Sequence, residues 1–189
     1  MEQRPMPHWA RRQEIRVGAV IAVALAIGLV VWLIAIHGGG SSSKPKVRAI
    51  APTAASPDRV RSLAGEVGHP VYWAGPAAGT TYELTETGSG RIYIRYLPTG
   101  VPVGSRSARY TIVGTYPVAS AYNVLNQLAR KSGESSFPAP RGGFAVYARA
   151  TPTNIYLAYP GKNVQIEVYD PSPRRARELI SSGRVAAVG

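Results

Sequence analysis

Apolar and polar residues are distributed along this chain in three ways, and each predicts a different element. The first is an unbroken apolar run. Val17 to Ile36 carries no charge, and about 20 residues at about 1.5 Å each span roughly 30 Å, the thickness of a bilayer's hydrocarbon core. A cleavable signal has a shorter apolar core and a small-x-small site after it; here "LIAIHGGGSSS" follows. The run therefore predicts a transmembrane helix over 17–37 that stays attached as a signal-anchor. Arg11, Arg12 and Arg16 crowd its start, whereas Lys44, Lys46 and Arg48 stand back behind "GGGSSS". That asymmetry puts the 1–16 tail in the cytoplasm and the remainder outside, on a single-pass protein of the plasma membrane. Gly18, Ala22 and Ala26 recur at four-residue spacing, a stripe that lets two helices approach closely. They are the candidate helix-association face.

The second pattern is an absence of period. "GGGSSSKPK" and "APTAASP" hold too few apolar residues to bury a core, so 38–55 reads as a flexible linker. The third pattern is alternation, and it fills 56–189, about 130 residues, enough for one self-sufficient core. Ser56, Pro57 and Asp58 open a helix that carries Val60, Leu63 and Val67 on one face and stops at Gly68. "VASAYNVLNQLARKSG" predicts a second helix and "SPRRARELISSG" a third. Between them "VYWAG", "TTYELTE", "RIYIRYL", "RYTIVGTY", "GFAVYARA", "TNIYLAY" and "NVQIEVYD" alternate with the period of half-buried strands. "RVAAV" is a candidate edge strand.

These elements predict an α+β fold: an antiparallel sheet with its helices on one face. Parts of it repeat. Val71-Tyr72 corresponds to Val146-Tyr147, Tyr82 to Tyr156, and "IYIRYLP" to "VQIEVYDP", at a nearly constant separation. The repeat suggests a pseudo-duplicated unit of one helix and three strands. The segments "GHPVYWAGP", "GRIYIRYLP" and "YPGKNVQIEVYDPSP" resemble parts of uncharacterised actinobacterial single-pass membrane proteins with an extracytoplasmic α+β domain. The resemblance spans most of the region after the linker. It implies a location and a fold class, and no activity.

Charge narrows the partners. The chain of 189 residues has 22 basic and 10 acidic side chains and a net charge of +12, which favours anionic partners. Arginine far outnumbers lysine, and alanine and glycine are plentiful, as in chains from high-GC bacteria. An extracytoplasmic position disfavours nucleic acid. The parts for catalysis are scarce. There is no cysteine and only three histidines, and His69 alone lies in the bulk of the domain, so a zinc centre or a histidine-based triad is poorly supplied. "GSG" opens a strand rather than a helix, and no serine sits in a nucleophile elbow. Asp170, before Pro171, is placed to accept backbone hydrogen bonds at a turn. No cofactor or metal is expected.

Tyrosine is the more informative residue: all 11 follow the linker, against two phenylalanines. If Ile92, Ile94, Val164, Ile166 and Val168 face the helices, alternation sends Arg91, Tyr93 and Arg95 to the other side. Tyr147, Arg149 and Tyr156 join them if Phe144, Val146, Ile155 and Leu157 are core. These six residues are the candidate binding surface, because tyrosine and arginine give broad contact, stacking and paired hydrogen bonds. The same residues also suit a purely structural sheet face. The expectation is a non-enzymatic binding domain at the bacterial cell envelope, held to the lipid bilayer by 17–37, with a protein or an anionic envelope polymer as partner. The alternatives are an accessory or regulatory subunit packed against another membrane protein, and an envelope hydrolase.

Overall fold

The first helix opens as its residues dictate. α1 runs Pro57–Val67; the Ser56 hydroxyl accepts the Arg59 N–H at 3.1 Å, and Gly68 ends it at a φ of 70°, a left-handed conformation that glycine adopts without a Cβ clash. The computed structural model describes residues 50–188. The expected cytoplasmic tail, the expected span 17–37 with Gly18, Ala22 and Ala26, and the first part of the linker lie outside the described residues. No helix among the described residues is long and apolar enough to cross a membrane.

The alternating segments form one antiparallel sheet of eight strands: β1 (Ile50–Ala55), β3 (Thr80–Glu86), β4 (Ile92–Pro98), β5 (Ile112–Pro117), β6 (Glu134–Ala139), β7 (Gly143–Ala148), β8 (Asn154–Ala158) and β9 (Val164–Tyr169). Their order is β1-β3-β4-β5-β9-β8-β7-β6, and a separate two-stranded ribbon joins β2 (Tyr72–Trp73) to β10 (Ala186–Ala187). The other α-helices among the described residues are α2 (Ala121–Leu128) and α3 (Pro173–Ser181), the latter capped by the Ser172 hydroxyl.

Two strands are additions to the sequence reading. The last six residues of the expected linker, Ile50–Ala55, are an edge strand against β3. Its register slips between Ile50 and Thr53. Pro52 lies in that interval and has no N–H for the ladder, which confines such a segment to a sheet edge. The other outermost strand, β6, also carries a proline, Pro138, and neither segment shows the alternation that marks the inner strands.

Register fixes the two faces. Ile94 opposes Val113, Val113 opposes Val168, and Val168 opposes Ile155; this row continues the apolar face. Val60 and Leu63 of α1 pack there on Leu84, Ile92 and Ile94. Ala176, Leu179 and Ile180 of α3 pack on Ile155, Leu157, Ile166 and Val168. α2 does not share that face. It lies against β7, β8 and β9, and Tyr122 meets the Phe144 ring edge-on with centroids 6.1 Å apart. Phe144 pairs with Ala158, one residue out of step with the Ala145–Leu157 pair that α3's cluster contains. The expectation of helices on one face is therefore corrected: two cover one face, and α2 covers half of the other. The strand order is symmetric about the β5–β9 pair, which sets β4 against β8. The sequence repeat instead equates β4 with β9. The unit of one helix and three strands is not realised, because β2 leaves the main sheet and β6 intervenes between α2 and β7.

Candidate functional site

The face opposite α1 and α3 begins with the residues that alternation put there. Arg95 opposes Glu83 on β3, and their side chains pair at 2.6 Å with Glu83 2% exposed. Arg95 also donates to the Ser107 carbonyl at 2.9 Å and covers the Tyr110 ring, while the other Glu83 oxygen accepts the Gly104 N–H at 2.5 Å. Tyr169 donates to the Ala108 carbonyl at 2.6 Å. The β4–β5 connection is thus pinned onto this end of the sheet, and Arg95 is engaged inside the protein.

Toward the middle, Tyr93 meets Tyr116 edge-on at 5.6 Å and Arg91 lies 5.8 Å from the Tyr116 ring centre. Tyr116 lies back across Gly114, where a Cβ would come within 2.7 Å of its hydroxyl. Glycine at that position lets the phenol reach across to β9 and donate to the Glu167 carboxylate. Asn154 donates to the second Glu167 oxygen at 2.5 Å. Burial pushes the Glu167 carboxyl up to about 7 against the pull of these two donors. The Tyr116 and Tyr156 hydroxyls are raised as well, by burial first and then by the Glu167 charge.

The six sequence-chosen residues therefore do not form one open surface. Arg91, Tyr93 and Arg95 are half-buried on this face, and Tyr156 shares it but is buried, 8% exposed. Tyr147 is on the opposite face, because Ala145 rather than Val146 is its in-register neighbour; it accepts a hydrogen bond from Arg177 at 2.7 Å beside Phe137. Arg149 is exposed in the turn after β7. Half-buried Phe144 and buried Val146 do not fix parity here, since α2 packs on the second face. His69 is half-buried, its two ring nitrogens 2.9 and 2.8 Å from the Pro70 and Gly90 carbonyls.

An open concavity lies elsewhere, beside α3. A groove of about 400 Å³ is bounded by the Ala77-Ala78-Gly79 turn, the end of the β4–β5 connection, the first turn of α3 and the chain after it. Three arginines from three segments line it: Arg109, Arg175 and Arg184. Arg184 reaches the Ala74 carbonyl at 3.4 Å, and Arg175 lies 3.4 Å from Asp170. The Arg109 guanidinium has no hydrogen-bond or ion-pair partner among the described residues. Among the described residues Asp170 is the single carboxylate of the lining, and both its oxygens are taken, one by the Thr111 hydroxyl at 2.5 Å and the other by the Ser172 N–H at 2.8 Å. Its turn role is the one the sequence suggested. Tyr96 closes the groove from the sheet, its hydroxyl accepting the Ala74 N–H at 2.6 Å and held protonated by burial. Three arginines against one carboxylate give the described lining of this groove an excess of positive charge.

Arg109 and Arg184 open the segments "RYTIVGTY" and "RVAAV", which alternation predicts as strands, but in the structure both stand in the connections before β5 and β10. The signal that bears on them is negative: an arginine outside a strand has no cross-strand carboxylate to pair with. No family model, no curated protein and no solved structure matches this chain.

Proposed function

We propose that the protein is a non-enzymatic binding domain tethered to the outer side of the plasma membrane, and that it takes an anionic component of the cell envelope into the arginine-lined groove. One observation carries the reading: three arginines from separate segments line a concavity whose only carboxylate among the described residues is already hydrogen-bonded by its own neighbours. Guanidinium groups donate in a planar fork that matches carboxylate and phosphate oxygens, so such a lining favours anions over neutral ligands. The apolar run 17–37 and the charge asymmetry around it support the tether and its direction, and the resemblance to actinobacterial single-pass proteins supports the location. The Tyr/Arg sheet face first considered is the weaker site, because Arg95 and Tyr93 hold internal contacts.

The test is retention of the full chain, in neutral detergent, on immobilised anionic envelope polymer compared with an uncharged polysaccharide. Selective retention that falls with added salt is the expected result, since each exposed contact is screened. Equal retention on both supports would remove the reading. Protease added to intact cells is expected to digest the domain and spare the 1–16 tail.

A further inference from the structure

Volume and donor geometry narrow the ligand. A water's share of the liquid is ~30 Å³, so a groove of about 400 Å³ is several times larger than a bare inorganic anion needs. Its charged part and its neutral part are separate in kind. Arg109, Arg175 and Arg184 approach from the β4–β5 connection, the first turn of α3 and the segment after α3. Donors converging from three directions suit a tetrahedral oxyanion, whereas a planar carboxylate is satisfied by one fork. The first turn of α3 adds its positive helix end on the same side. The rest of the lining is mixed and includes the Ala77–Gly79 turn, Thr80, Thr111 and Leu179 beside two tyrosines. Such a wall fits a compact hydroxylated body; its two rings are Tyr96, tied to Ala74, and Tyr110, which Arg95 covers.

Resting on the anion-binding reading above, we infer that the groove recognises a phosphate ester of a small polyol or sugar, with the phosphate on the three arginines and the hydroxylated body against the alanine turn. That chemistry has two sources near a bilayer: a lipid headgroup of the phosphoglycerol kind, or a phosphodiester-linked envelope polymer.

Full-length protein in neutral detergent, titrated calorimetrically with glycerol phosphate, inorganic phosphate, glycerol and succinate, tests the inference. Glycerol phosphate is expected to bind about tenfold more tightly than inorganic phosphate, a difference of ~1.4 kcal/mol, and glycerol and succinate are expected to give no saturable heat. Arg109→Ala and Arg184→Ala are each expected to weaken glycerol phosphate binding about tenfold, the scale of one lost charge-assisted contact, with the thermal midpoint of Arg109→Ala unchanged. Reconstitution in phosphatidylcholine nanodiscs with and without phosphatidylglycerol separates the sources. Competition by the anionic lipid identifies the headgroup, and competition only by a soluble poly(glycerol phosphate) identifies the polymer. Equal affinity for inorganic phosphate and glycerol phosphate, or succinate bound as tightly as either, would overturn the inference and leave anion binding standing. Absence of binding by every anion would remove both.

Discussion

The two basic regions of this domain use the same side chain to opposite ends. On the sheet face, Arg95 faces a cross-strand glutamate that is 2% exposed and holds a loop carbonyl as well. In the groove, Arg109 holds nothing among the described residues, and Arg175 and Arg184 make contacts of 3.4 Å at the edge of hydrogen-bond range. The difference is one of backbone context. A strand places a side chain opposite a fixed neighbour, so charge there is matched by charge across the ladder. A connection has no such partner, and its charge stays available. Net charge alone does not separate the two, although only the second supports an anion-binding role.

The sharpest way to break this contrast is to strand a charge on the sheet face. Arg95→Ala leaves the Glu83 carboxylate buried without its cation. It is predicted to destabilise the domain by about 3–5 kcal/mol, the range for removing one partner of a buried pair, read by denaturant unfolding of the full chain in detergent. A loss below about 1 kcal/mol would mean that the pair is an ordinary surface contact and that Arg95 is free for ligand after all.

Next in size is the pH response of Glu167. In the folded chain it keeps its proton up to about 7, against the ordinary 4.5. The unfolded chain releases that proton at the ordinary value, so between the two the folded state binds more protons. The stability this group contributes is fully present below the ordinary carboxyl value and is lost as pH rises through about 7. The span corresponds to a change on the order of 3 kcal/mol. The groups facing it are Tyr116, Asn154 and Tyr156, with Tyr93 and Arg91 beyond the Tyr116 ring. Glu167→Gln keeps the size, accepts from Asn154 through its amide oxygen, turns the Tyr116 bond round so that the amide donates, and removes the titration. The prediction is that wild type loses stability from pH 5 to pH 8 while the variant stays nearly flat over the same interval. Parallel profiles would place the pH dependence in another group.

How much of this was legible in the sequence follows from periodicity. The inner strands alternate cleanly because both sides of each are defined by a neighbour, and their positions were readable. So were α1 and α3, whose Ser-Pro openings fix cap and first turn. The outer strands β1 and β6 were not, since an edge needs only one partner and tolerates Pro52 and Pro138. The placement of α2 was illegible for a different reason. Val146 and Leu157 are both buried yet lie on opposite faces, so a sheet covered on both sides gives no polar stripe to set the parity. That error carried Tyr147 into the wrong surface. The groove joins segments far apart in the chain, from Ala77 to Arg184, and only the folded sheet brings them together.

The smallest expected effect on stability tests the other half of the contrast. Arg109 follows a connection that the Arg95, Glu83 and Tyr169 contacts already pin in place, so its own side chain is not needed to hold the wall. Arg109→Ala is predicted to shift unfolding free energy by no more than about 0.5 kcal/mol, the range for an unengaged surface position. The same variant is predicted to flatten the dependence of anion binding on salt, because one fewer fixed cation remains to be screened. Denaturant unfolding and binding at two ionic strengths measure both quantities on one sample. A stability loss comparable to that of Arg95→Ala would show that groove and sheet arginines do the same structural work, and the distinction between a filled face and an open site would collapse. Unchanged stability with an unchanged salt slope would leave Arg109 outside the ligand's reach and return the anion site to Arg175 and Arg184 alone.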